Sequence, residues 1–154
     1  MHDLPHIVRM LHDDALGAQR ERLTDPLPDS YYRAFSAMEN DPNNQLFVAE
    51  LDGAVIGTFQ LTIIAGLSHQ GGTNAQIEAV RIAAERRGKG YGEEMIREAI
   101  VLARARGCYR LQLTTDKSRK DAQRFYARLG FGDRGELETR VRKYTHTEMV
   151  LIRP

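Results

Sequence analysis

Residues 76–114 have the sequence QIEAVRIAAERRGKGYGEEMIREAIVLARARGCYRLQLT, and the order of patterns in this stretch decides the fold. An apolar strand over residues 76–82 runs into a basic, glycine-rich turn. A helix is predicted from Gly92 to about Arg106, because apolar side chains recur there at helical spacing and Gly107 offers a C-terminal cap. A second strand is predicted over residues 108–114. Such a strand–helix–strand unit places two parallel strands in one sheet with a right-handed crossover.

The flanking sequence predicts further helices and antiparallel hairpins around this unit. The predicted elements are a helix over 3–14, a helix after the prolines up to about Asn40, strands over 46–51 and 55–63 joined at Asp52-Gly53, a helix over 118–129, a strand from Phe131 and a last strand over 144–152. Alternation gives the second strand an apolar face of Val55, Gly57, Phe59, Leu61 and Ile63. The sum is one α+β domain (α/β layered) over residues 1–154, with a mixed, mostly antiparallel sheet flanked by helices.

Composition excludes several classes of protein. The 154 residues carry 22 basic and 21 acidic side chains, so a net charge of +1 gives no attraction to nucleic acid or membrane. One cysteine permits no internal disulfide, and with five scattered histidines it argues against a structural zinc site. The single cysteine fits a reducing compartment, and the chain shows no 18-residue apolar run and no signal segment, so a cytoplasmic protein is expected.

The turn Arg86-Arg87-Gly88-Lys89-Gly90-Tyr91-Gly92 is the richest candidate site. Its glycines allow a tight backbone, and the following helix N-terminus with three basic residues suits phosphate oxygens. The phosphate loop of nucleotide triphosphatases is absent, and the dinucleotide fingerprint fails because Glu93 stands where a glycine is needed. A plain turn with solvated basic residues remains the alternative.

Two motifs in this order resemble the GNAT superfamily of acyl-CoA-dependent N-acetyltransferases. The first is the Arg-Gly-x-Gly-x-Gly turn at Arg87–Gly92, placed between a strand and a long helix. The second, Ala122 to Phe131, is similar to the signature Ala-x-x-Phe-Tyr-x-x-x-Gly-Phe. Members of the family begin with a strand ahead of the first helix, and here the helix is predicted from residue 3. Two expectations follow: either the first edge strand is missing from this sheet, or the true start of the protein lies upstream of Met1.

The resemblance implies acetyl-CoA as co-substrate, no metal, and a primary amine as acceptor, and we expect that amine to belong to a small molecule. It places the pyrophosphate on the turn and the pantetheine arm along the central strand. The cofactor-binding residues implied in this way are Val80, Arg81, Ile82, Arg87, Gly88, Lys89, Gly90, Tyr91, Gly92, Ser118, Ala122, Phe125, Tyr126 and Arg128. A homodimer is a further expectation.

Two residues are candidates for proton transfer. Tyr126 shares a helix face with Phe125 and Leu129, so from spacing alone it is a core aromatic; the resemblance implies that its phenol protonates the leaving thiolate. Glu78 lies at the same side-chain parity as Val80 and Ile82 in the central strand, where a carboxylate is costly unless it is paired or functional. It is either a salt-bridge partner or the general base that deprotonates the amine.

Other features have ordinary explanations beside functional ones. Ser118 is the candidate N-cap of its helix, and the basic residues over 117–128 are either a solvated face or contacts to adenosine phosphates. Cys108 is predicted to be a small buried residue. A protein of this fold that binds acyl-CoA without turnover, and a nucleotide-binding protein, are the competing functions.

Overall fold

A computed structural model describes residues 2–132, 136–138 and 151–153. The elements in chain order are α1 (Leu4–His12), α2 (Gly17–Arg20), α3 (Asp29–Glu39), β1 (Asn44–Leu51), β2 (Ala54–Ala65), the single turn α4 (Ser68–Gly71), β3 (Thr73–Ile82), α5 (Tyr91–Ala105), β4 (Arg110–Leu113), α6 (Lys120–Arg128), β5 (Glu136–Glu138) and β6 (Leu151–Arg153). Within these ranges, every helix is too short or too polar to cross a bilayer.

The strands form one mixed sheet in the order β5-β4-β3-β2-β1-β6. The pair β3–β4 is parallel and all other neighbours are antiparallel, which confirms the predicted mixed, mostly antiparallel sheet. The edge beside β1 is occupied by β6, whose residues 151–153 pair with residues 48–50. The rest of the predicted last strand, 144–150, lies outside the described residues. Of the strand predicted from Phe131, the described residues show β5, and residues 133–135 are not among them.

Helices cover both faces of the sheet. Successive strand residues point to opposite faces, and the adjacent residues Phe47 and Val48 belong to different clusters. Phe47 joins the main core with the buried stripe of α5, while Val48 packs with Ile7 and Met10 of α1. The α5 residues buried in the main core are Met95, Ile96, Ala99, Ile100 and Ala103, as their spacing predicts. The crossover helix α5 therefore packs on one face of the sheet, and α1 covers the opposite face.

Two β-bulges overturn the predicted side-chain faces. In β2, the register passes from Gly57 opposite Ala49 to Val55 opposite Glu50, so Ile56 is an extra residue. Val55 consequently packs with the α1 cluster and not with Phe59 in the main core, which corrects the predicted apolar face. A bulge inserts one residue and so reverses the alternation beyond it.

The second bulge corrects the predicted position of Glu78. In β3, Ala79 and Val80 together oppose the single residue Phe59, and Ala79 has a φ of +52°. Ile77 before the bulge and Val80 and Ile82 after it all contact the main core. Glu78 is therefore on the face opposite Val80 and Ile82, and the prediction of equal parity was wrong.

Candidate active site

The candidate site is the gap that opens where β3 and β4 part. Their parallel ladder covers only residues 74–77 and 110–113, after which β4 ends while β3 continues to Ile82. Three cavities of about 700, 600 and 400 Å³ follow this gap, and Val80 and Arg81 line all of them. The bulged half of β3 is thus the common wall of one continuous groove.

The 700 Å³ cavity is bounded by the glycine-rich turn and the start of α5. Gly88 and Gly90 have φ values of +74° and +92°, and an added Cβ on either would meet no atom within 4 Å. These glycines are therefore required by backbone conformation and not by crowding. The amides of Glu93 and Glu94 both donate to the Gly90 carbonyl, and they are the first α5 amides with a backbone acceptor. Among the described residues, the amides of Tyr91 and Gly92 ahead of them have none. Together with the helix dipole, this end of the groove suits an anion.

The basic residues of this turn differ in their surroundings. Arg87 Nε donates to the carbonyl of Ile82 at 3.0 Å, and its Nη2 donates to Asp13 Oδ2 at 2.7 Å. The Arg87 side chain is thus held by the loop after α1 and remains about half exposed. Arg86 lines the 700 Å³ cavity, and Lys89 is exposed without lining any of the three.

A second ion network connects three separate elements at the centre of the groove. Asp14 Oδ1 accepts the amides of Leu16 and Gly17 at 3.0 and 2.7 Å. Asp14 Oδ2 accepts a hydrogen bond from Arg119 and lies 3.8 Å from Arg81 Nη2. Burial opposes ionisation of Asp14, but the Gly17 amide and Arg119 outweigh it and hold its pKa below the ordinary value. Burial and the nearby Arg119 charge lower the pKa of Arg81.

Tyr126 lies between two of the cavities. Its ring packs edge-on against Phe125 and Phe131, with centroids 5.1 and 5.8 Å away, and it lines both the 700 and the 400 Å³ cavity. Burial raises the pKa of its phenol, and the Arg81 and Arg119 charges only partly offset this. The phenol therefore holds its proton at neutral pH and can donate it. The packing and proton-donor interpretations are compatible in this geometry.

Glu78 lines the 400 Å³ cavity together with Tyr126. Its side chain is exposed, and no hydrogen bond or ion pair joins its carboxylate to another part of the described chain. The salt bridge considered as its structural explanation is therefore absent from the described residues. An unpaired, solvated carboxylate is free to accept a proton.

The remaining predicted contacts come from α6 and its approach. Ala122 lines the 600 and 400 Å³ cavities, and Phe125 and Arg128 line the 700 Å³ cavity. Ser118 lines the groove but is not the N-cap, because α6 begins at Lys120 and the Ser118 hydroxyl donates to Asp116 Oδ1 at 2.6 Å. The short side chain of Asp116, two residues before Ser118, holds this hydroxyl in a local turn.

The wall formed by the segment after α1 was not predicted from the sequence. Asp14 and Leu16 line the groove, and α2 brings Arg20 to the 400 Å³ cavity. An aspartate three residues ahead of Gly17 is a local signal for the turn, since its carboxylate accepts that amide. Its pairing with Arg119, 105 residues away, leaves no such local signal.

Comparison with known proteins supports a common family. The model of a family described as the Acetyltransferase (GNAT) family matches residues 9–131. A transcriptional regulator from Bacillus halodurans C-125 is 42% identical, with a TM-score of 0.84 over 96% of this chain and 93% of that one. A proposed acetyltransferase from Agrobacterium tumefaciens is 28% identical, with a TM-score of 0.74 over 96% and 93% of the two chains.

A more distant structure shares the fold alone. It is a proposed acetyltransferase from Clostridium acetobutylicum, solved with acetyl-CoA, at 17% identity. Its TM-score is 0.65 over 96% of this chain and 90% of that one.

Proposed function

This chain belongs to the GNAT family of acetyltransferases, and from that premise we propose that it transfers the acetyl group of acetyl-CoA to a primary amine of a small molecule. The observation that carries the proposal is the groove in which Glu78, Tyr126 and the glycine turn meet a bulged strand. The Tyr126 phenol, which would give a proton to the leaving sulfur, and the Glu78 carboxylate, which would remove one from the amine, border the same 400 Å³ cavity. That arrangement suits direct attack by an amine.

The groove suits the chemical parts of acetyl-CoA. The glycine turn and the first amides of α5 would hold the pyrophosphate, since they combine free donors, positive φ and the positive end of the helix dipole. From Glu78 to Ile82, the edge of β3 beyond the end of β4 would receive the pantetheine arm. Acetyl-CoA supplies an activated thioester to this site.

Glu78 and Tyr126 then divide the proton transfers. An amine with a pKa near ~10 is mostly an ammonium at neutral pH, so the Glu78 carboxylate removes a proton before the nitrogen attacks. The Tyr126 phenol holds its proton and gives it to the departing sulfur. Fixing both partners in one groove supplies part of the rate by orientation.

The first experiment is thermal unfolding with acetyl-CoA, ATP and NAD in parallel. At ~100 times its dissociation constant, a ligand adds about 2.7 kcal/mol of stability. Gly90→Ala and Gly107→Ala are a matched pair, because both glycines have positive φ with no atom near an added Cβ and lie at opposite ends of α5. We expect both variants to lose stability and only Gly90→Ala to lose the acetyl-CoA shift. No shift of the wild-type protein with acetyl-CoA would refute the proposal.

Turnover is tested by thiol release with a panel of amines. Glu78→Gln and Tyr126→Phe are each expected to lower kcat by about 10²-fold or more while acetyl-CoA binding persists. Unchanged rates would remove the substituted residue from the mechanism.

A second candidate function is acyl-CoA binding without turnover. It is favoured by the 42% identical relative, which is described as a transcriptional regulator. An acetyl-CoA shift without thiol release from any amine would support this alternative. The predicted homodimer and cytoplasmic location stay predictions.

A further inference from the structure

The 400 Å³ cavity carries more charge than proton transfer requires. Besides the carboxylates of Glu78 and Asp116, it is lined by three arginines that come from three different elements, Arg20 of α2, Arg81 of β3 and Arg119 ahead of α6. An amine alone calls for no cation beside it. The arginines therefore call for another explanation.

The β3 bulge is what brings opposite charges together. With strict alternation, Glu78 and Arg81 would point to opposite faces, because they are three residues apart. The extra residue at Ala79–Val80 reverses the alternation, so both side chains line the same cavity. Three residues of strand span roughly 10 Å at most, which is the scale of a small molecule.

The carboxylates near the cavity do not pair with all three arginines. All the contacts of Asp14 are taken, with two amides on Oδ1 and two guanidinium groups around Oδ2. One carboxylate thus serves both Arg81 and Arg119. Asp116 Oδ1 accepts both the amide and the hydroxyl of Ser118.

Arg20 is the arginine of this cavity with the fewest polar contacts to other side chains. Its guanidinium has no hydrogen bond or ion pair with the part of the chain that the structure describes, although it lies close enough to Asp116 to help lower the pKa of that carboxyl. Its side chain is exposed at the cavity. A guanidinium in this state can bind an oxyanion from solution.

We infer that the acceptor is a small amine that also carries a carboxylate or phosphate, with its ammonium at Glu78 and its oxyanion on Arg20 and Arg119. This inference rests on the proposed function. The acceptor nitrogen forms an amide bond as the thioester C–S bond breaks. The ammonium loses two protons. One reaches solvent through Glu78, and the other restores the phenol of Tyr126 after Tyr126 has given its own proton to sulfur.

The test compares acceptors that differ in one charge. Phosphoethanolamine is paired with ethanolamine, and β-alanine with propylamine, in thiol-release assays with the full-length protein. We expect kcat/KM to be at least about tenfold higher for the anionic member of one or both pairs, chiefly through KM, as one charge-assisted hydrogen bond would give.

Arg20→Gln identifies the residue responsible. It should lower the anionic-to-neutral ratio of kcat/KM by about tenfold, whereas Arg33→Gln, an exposed arginine on α3, should leave that ratio at the wild-type value. Equal ratios in wild type and Arg20→Gln, or no preference for either anionic acceptor, would overturn the inference while turnover keeps the proposed function. No turnover with any of the four amines would overturn both.

Discussion

Asp14→Asn is the substitution that most directly tests how the groove is held together. Asparagine keeps an oxygen for the amides of Leu16 and Gly17, but places an NH₂ group where Asp14 Oδ2 meets Arg119 and Arg81. The backbone turn should therefore survive. The two guanidinium groups lose their shared counter-charge and repel one another.

The expected cost follows from the exposure of the partners. A hydrogen bond to a charged group contributes about 1.5–3 kcal/mol when shielded, and exposed ion pairs contribute about 0.2–1 kcal/mol. The side chains of Asp14 and Arg119 are both 29% exposed, so the pair falls between these limits. We expect a loss of about 1–2 kcal/mol, which for a chain of this length lowers Tm by about 2–8 °C.

The assay is a double-mutant cycle in urea, with Asp14→Asn, Arg119→Gln and the double variant measured at several pH values. The folded protein lowers the pKa of Asp14, so its stabilisation is complete above the unfolded-state pKa and is lost as pH falls through the folded-state pKa. The wild-type advantage over Asp14→Asn should hold at neutral pH and shrink below about pH 4. A coupling energy near zero at pH 7, or an advantage that persists in acid, would refute the ion-network argument.

Three further predictions concern the groove. Burial raises the pKa of Tyr126, so the alkaline fall in kcat caused by loss of its proton should lie above about pH 10, and a pH–rate profile of Tyr126→Phe should lack that limb. Asp13→Asn frees Arg87 from a half-exposed pair and should tighten acetyl-CoA binding by up to about fivefold in calorimetry; weaker binding would contradict this. Gly57→Ala places a Cβ 2.5 Å from Met95 Sδ and should cost about 1–3 kcal/mol in urea unfolding, with no loss disproving tight packing there.

Local patterns predicted much of the fold. The helix predicted from Gly92 to about Arg106 is α5 (Tyr91–Ala105), and Gly107 follows it with a φ of +71°. Helices and tight turns depend on residues within four positions of each other, so their signals are present in a short window of sequence. The glycine turn was predicted for the same reason, and the parallel β3–β4 pair followed from the order strand, helix, strand.

The bulges were not predicted, because the residues at both positions carry no sequence pattern that is typical of a bulge. Ala79 adopts a φ of +52°, a conformation that sequence patterns associate with glycine, and Ile56 continues an apolar run. Both extra residues are fixed by how neighbouring strands and helices pack. Predicted side-chain faces failed beyond each of them.

The sequence by itself determined the end of the groove that suits an anion, since the glycine turn and the start of α5 are consecutive residues whose backbone preferences suffice. The other end was decided by tertiary structure alone. Glu78 shares a cavity with Arg81 because a bulge reverses the side-chain alternation of β3, and Arg20 and Arg119 join them from distant parts of the chain. Ionic contacts over such separations depend on where the whole sheet places its helices, which no local pattern encodes.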